Sequence, residues 1–165
     1  MKYSFTINTD ASYHPETQIG AWACWIKSSH YLIKEAGLFP GAILNSSVAE
    51  LMAVEQALIL LDKLIDSQEF LQHRRNTGDI VIYFNTDSMW SVHALRGIMK
   101  RSKHIAIARH IKSLTSQYEI VARHVKGHTK EDSARAWVNN WCDHQSRRLV
   151  RKEVAKRHER TTEKI

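Results

Sequence analysis

The chain has 165 residues, 43% hydrophobic and 25% charged, which suits one globular domain burying roughly 70% of its unfolded surface and excludes a fibrous or low-complexity chain. Its formal net charge of +7 favours a polyanionic partner such as nucleic acid, and the charge is uneven: residues 147–165 hold eight Lys/Arg against three Asp/Glu. Cys24 and Cys142 are far apart among apolar neighbours, which argues against a disulfide framework and for buried thiols in a reducing compartment. The longest apolar run, ALILL, is too short to span a bilayer, and the N-terminus lacks a signal-peptide core, so the expected location is cytoplasmic, with no membrane partner.

Residues 2–9 alternate, with Tyr3, Phe5 and Ile7 on one side and Lys2, Ser4 and Thr6 on the other, which predicts a strand with one face on a core. A turn-like ASYHPETQIG follows, then strands at AWACWIK and HYLIKEAGL, close enough for an antiparallel meander. The stretch SSVAELMAVEQALILLDKLID has apolar residues at helical spacing, lacks Gly and Pro, and offers Ser46 or Ser47 as N-cap. A polar connection, DSQEFLQHRRNTG, leads to strand DIVIYFN. Helices over 88–98 and 104–115, strand QYEIVARHV, loop KGHTKEDSAR and a helix from about Ala136 complete the chain. The order predicts one α/β domain, with a mixed sheet whose last two strands run parallel to the first.

Two strands end alike, in TINTDAS and YFNTDSM. As parallel neighbours they bring Asp10 and Asp87 side by side at the carboxyl end of the sheet, where open α/β sheets bind ligands. Adjacent anions repel unless a cation lies between them. Glu50 falls on the stripe of Val54, Ala57 and Leu61 and so faces the sheet, whereas Glu55 and Asp62 belong to the wet face. Asp143, in AWVNNWCDHQSRR, borders a Val138–Cys142–Leu149 stripe. Alone, Asp87 reads as a helix cap and Asp143 as a solvated helix aspartate. Together, four acids form a hard-oxygen donor set suited to magnesium or manganese. His124, His128, Cys142 and His144 fit no tetrahedral zinc spacing. His128, in the VKGHT loop, suits a proton carrier beside the metals.

These motifs, in this order over about residues 3–150, resemble ribonuclease H of the type 1 class. The resemblance implies a ribonuclease H-like α/β fold: a five-stranded mixed sheet flanked by helices, forming a catalytic domain over 1–150 with a basic tail over 151–165. It implies a monomer that hydrolyses the RNA strand of RNA–DNA hybrids, leaving 3′-hydroxyl and 5′-phosphate ends. By position, Asp10, Glu50, Asp87 and Asp143 match metal-binding acids holding two Mg²⁺ (or Mn²⁺), with Asp10 bridging, and His128 matches the family's loop histidine. Two such ions suit an in-line displacement. The chain departs from the family in having Ala11 where Gly is usual, Asn45-Ser46-Ser47 before the helix glutamate, and a longer gap from His128 to Asp143. Expected substrate contacts are backbone groups around Ala11–Tyr13 with Asn45, Ser46 and Ser47 near the RNA strand, and Lys100, Arg101 and Lys103, with Arg96 and Arg109, on DNA phosphates. The alternatives are a metal-dependent DNA nuclease of the same fold and a catalytically silent hybrid-binding protein.

Overall fold

In a computed structural model, residues 2–73, 80–100, 104–127, 130 and 132–163 are described. Strands β1 (Tyr3–His14), β2 (Ile19–Lys27) and β3 (Leu32–Leu38) form the meander, followed by helices α1 (Ser46–Ile65) and α2 (Gln68–His73). Strand β4 (Ile80–Thr86), helices α3 (Met89–Leu95) and α4 (Ile105–Thr115), strand β5 (Glu119–His124) and helix α5 (Ala134–Thr162) follow. The sheet order is β3-β2-β1-β4-β5. β1 is antiparallel to β2 and parallel to β4, and β5 is parallel to β4, as the element order predicts.

Alternation along the strands assigns the two faces. Phe5 and Ile7 of β1, Cys24 and Ile26 of β2 and Ile82 and Phe84 of β4 join the core with Leu51, Val54, Ala57 and Leu61 of α1. The opposite face carries Ala21, Ala23 and Trp25, and α5 packs there: Trp25 meets Trp137 and Trp141 edge-on, each at 5.4 Å between ring centroids. The buried residues of α5 are Asn139, Cys142, Ser146 and Val150, rather than the expected Val138–Cys142–Leu149 stripe. Small side chains at these positions let the helix lie close over the alanines of β2, while the bulk is taken by tryptophans at the flank.

Three local expectations are corrected. β1 does not stop before Asp10 but continues to His14, because residues 10–14 keep their ladder to β2 (Asp10 opposite Ala23, His14 opposite Ile19) after the recorded pairing with β4 ends at Asn8 and Asn85. The polar connection after α1 contains a helix, α2, held by one apolar anchor: Phe70 is buried among Tyr3, Phe5 and Tyr31, with ring centroids 5.4–5.9 Å away. The N-cap of α1 is Asn45, not Ser46 or Ser47; in extended backbone, its Oδ1 accepts the Val48 N–H at 2.9 Å.

Both cysteines are buried and free. No helix among the described residues is long and apolar enough to cross a membrane.

A candidate metal centre

Asp10 and Asp87 each lie two residues beyond the Asn8–Asn85 pair of the parallel β1–β4 ladder, so the repeated Asn-Thr-Asp places them together. Asp10 shares the α5-facing side of the sheet with its partner Ala23. Glu50 enters from the other layer, as the fifth residue of α1. Carboxylate oxygens of Asp10, Glu50 and Asp87 all lie within 4.8 Å of one another. Asp143 of α5 lines the same cavity, about 440 Å³ in volume, and its Oδ1 accepts from Arg147 Nε at 2.8 Å.

The cluster is electrostatically unfavourable by itself. Burial, then the charges of Asp87 and Asp143, push the Asp10 carboxyl from its ordinary 3.8 up to about 8, against a lowering hydrogen bond from the Ala11 N–H at 2.9 Å. Burial, followed by the charges of Asp10 and Asp87, raises Glu50 well above the usual carboxylate range. Glu50 Oε2 is shielded from solvent and accepts no hydrogen bond from the described residues. A buried acceptor without a donor, beside two more carboxylates, is a costly arrangement for a fold to keep unless a cation completes it. The donors are all oxygens, so the residues present fit a hard divalent ion.

Neighbouring groups brace the cluster. His124 Nε2 donates to the Asp87 carbonyl at 3.0 Å, which ties the end of β4 to β5. Gly127 lies so close to Asp87 that a Cβ there would stand 2.7 Å from Oδ2, so a larger residue would have to push the carboxylate aside. Cys142 Sγ donates to the Asn8 carbonyl at 3.7 Å, and burial pushes its thiol well above the usual range.

The predicted substrate contacts divide. Ala11, Ser12 and Tyr13 line the acid cavity, while Asn45, Ser46 and Ser47 are not among its lining residues; Tyr13 Oη donates to the Leu44 carbonyl at 3.2 Å, just ahead of that segment. Lys100 is exposed between α3 and α4, and Arg101, Lys103 and His128 lie outside the described residues. Arg96, grouped with the basic run by sequence, donates Nη2 to the Ala122 carbonyl at 3.1 Å and so fastens α3 to β5. His14, Arg147 and Arg151 line the cavity without having been expected there. Arg147 and Arg151 follow Asp143 at four-residue steps, a spacing visible in the sequence once Asp143 is placed.

No protein-family model and no curated protein matches the chain. Solved structures do. The N-terminal RNase H domain of a Mycobacterium tuberculosis protein is similar with a TM-score of 0.69 at 13% identity, over 94% of this chain and 99% of that one. LC11-RNase H1, isolated from compost by a metagenomic approach, is similar in its complex with an RNA/DNA hybrid, with a TM-score of 0.61, 16% identity and coverage of 91% and 99%. RNase H1 from the halophilic archaeon Halobacterium salinarum has a TM-score of 0.62 at 13% identity, with coverage of 90% and 98%. The mixed five-stranded sheet with helices on both faces, carrying its acids at the end of the β1–β4 ladder, is the ribonuclease H fold, and the type 1 enzymes are among the structures it resembles.

Proposed function

We propose that the protein is a divalent-metal-dependent endonuclease that hydrolyses the RNA strand of RNA–DNA hybrids, leaving 3′-hydroxyl and 5′-phosphate ends. The observation that carries this reading is the convergence of Asp10, Glu50 and Asp87 oxygens within 4.8 Å on this fold, with Glu50 Oε2 buried and without a donor among the described residues. Asp10, Glu50, Asp87 and Asp143 would hold two magnesium ions, which when bound activate water and stabilise the departing 3′-oxygen.

The chain's own share is positioning. Asp10 is fixed by strand backbone, Asp87 by its place just beyond β4, Glu50 by a helix whose buried apolar residues are in the core, and Asp143 by α5, so the ligand oxygens need little reorganisation. The Ala11 N–H orients the Asp10 carboxylate, and Gly127 lies against the Asp87 carboxylate. His128, the next residue in the sequence, is suited to carrying a proton; His128→Ala should lower turnover more than hybrid affinity. Ala11, Ser12 and Tyr13 line the cavity, and a 2′-hydroxyl of the RNA strand would be read along this wall. Asn45 is committed through Oδ1 to its helix cap, which leaves its amide nitrogen, with Ser46 and Ser47, for such contacts.

The test is incubation of labelled RNA–DNA hybrid, double-stranded RNA, duplex DNA and single strands, each with magnesium and with chelator. Cutting confined to the RNA strand of the hybrid, and dependent on magnesium, is expected. Efficient cutting of an all-DNA duplex would instead establish a DNA nuclease of the same fold.

A further inference from the structure

We infer that the face of α5 running outward from Asp143 is a cradle for the backbone phosphates of the duplex that enters the acid cavity. This rests on the nuclease reading for what is cut and adds where the duplex lies. α5 runs unbroken from Ala134 to Thr162, well past Asp143, and so carries most of the basic C-terminal residues. Val150 is buried with Ile19 and Ala21 of β2, and Leu149 and Val154 pack against them. The arginines in this stretch are thus displayed on an anchored helix, so binding costs little backbone ordering.

Their placement follows the helix period. Arg147 and Arg151 lie one and two turns beyond Asp143, in steps of about 6 Å along the axis, and both line the cavity that holds Asp10, Glu50 and Asp87. Arg148 joins them around an adjoining cavity of about 540 Å³ that also includes Asp143 and His144. The nearby acids on α5 are engaged by other cations: Asp143 by Arg147 at 2.8 Å and Glu153 by Arg157 at 3.2 Å. Among the described residues, Arg148 and Arg151 have no ion-pair partner. Solvation accounts for many charged helix faces, but here the cations border a carboxylate cluster that would otherwise repel an arriving polyanion. Guanidinium groups at that border offset the repulsion, and their planar forks match phosphate oxygens.

The experiment measures binding of a short RNA–DNA hybrid in chelator, by fluorescence anisotropy across a salt titration, for the full chain and three variants. Arg148→Gln/Arg151→Gln should flatten the slope of log affinity against log salt by about two and weaken binding about tenfold or more near 0.1 M salt. Arg148→Lys/Arg151→Lys, which keeps the charge and the helix, should restore the slope. Lys156→Gln/Arg160→Gln, further along α5, should change it less. An unchanged slope in the first variant, or an equal loss in the outer one, overturns the cradle. Cleavage by the wild type is scored separately: a flattened slope without cleavage keeps the cradle and removes the nuclease reading, whereas cleavage with an unchanged slope does the reverse.

Discussion

Replacing Asp10 by Asn should make the metal-free protein more stable at alkaline pH, although it removes a group expected to be indispensable for activity. The folded Asp10 carboxyl is raised from 3.8 to about 8, chiefly by burial and then by Asp87 and Asp143. Between those two values the folded chain binds a proton that the unfolded chain has lost. Stability from this group is therefore complete below about pH 4 and drains away as pH rises through about 8. The whole displacement sets a ceiling of about 6 kcal/mol at about 1.4 kcal/mol per pH unit. A second route gives less: unit charges 4.8 Å apart repel by about 3 kcal/mol at an effective permittivity of about 20. Relief of about 2–3 kcal/mol corresponds to about 4–12 °C in melting temperature for a domain of this size. The assay is thermal unfolding followed by circular dichroism in chelator, from about pH 5 to about pH 9, for wild type and Asp10→Asn. The variant should melt higher at the alkaline end, and the difference should close towards pH 5, where the wild-type carboxyl is protonated. Magnesium should raise the wild-type melting temperature more than the variant's. A variant that melts at or below wild type at alkaline pH, or a difference independent of pH, would refute the electrostatic account of the cluster.

Asp10→Asn and Asp87→Asn should each abolish nearly all hybrid cleavage while keeping a native circular dichroism spectrum; near-wild-type turnover in either would remove these residues from the site. Gly127→Ala must displace the Asp87 carboxylate or the loop beside it, so magnesium affinity measured by calorimetry should fall, and an unchanged value would show that the approach is slack. Phe70→Ala should cost about 3–5 kcal/mol in denaturant unfolding, because the ring fills the space between Tyr3, Phe5 and Tyr31; a loss under about 1 kcal/mol would mean that α2 is dispensable. Asn45→Ala should cost about 1 kcal/mol through its lost cap, and a drop in hybrid affinity beyond that seen for Ser46→Ala would add substrate contact to its capping role.

What the sequence determined by itself was whatever local periodicity encodes. The alternation of Tyr3, Phe5 and Ile7, the helical stripe through Glu50, Val54, Ala57 and Leu61, and the two Asn-Thr-Asp strand ends are all short-range patterns, and with the element order they were enough to predict a mixed sheet with Asp10 beside Asp87. The inward face of Glu50 was legible for the same reason, since a 3.6-residue period fixes which side of α1 meets the sheet. Features that depend on a partner distant in the chain were not legible. β1 continues through Asp10 to His14 only because β2 lies alongside it. α2 has one apolar anchor in a polar stretch, and Phe70 becomes a reason to fold only when three aromatic rings from β1 and the β2–β3 connection surround it. Asn45, rather than the serines beside it, caps α1 because its backbone is extended there by the incoming loop. The crossing of α5 over the alanine-bearing face of β2 brings Arg147 and Arg151 to the acid cavity. Local pattern chooses elements and faces through backbone and side-chain sterics within a few residues, whereas convergence is decided by packing among elements tens of residues apart, where only the closed three-dimensional chain sets the distances.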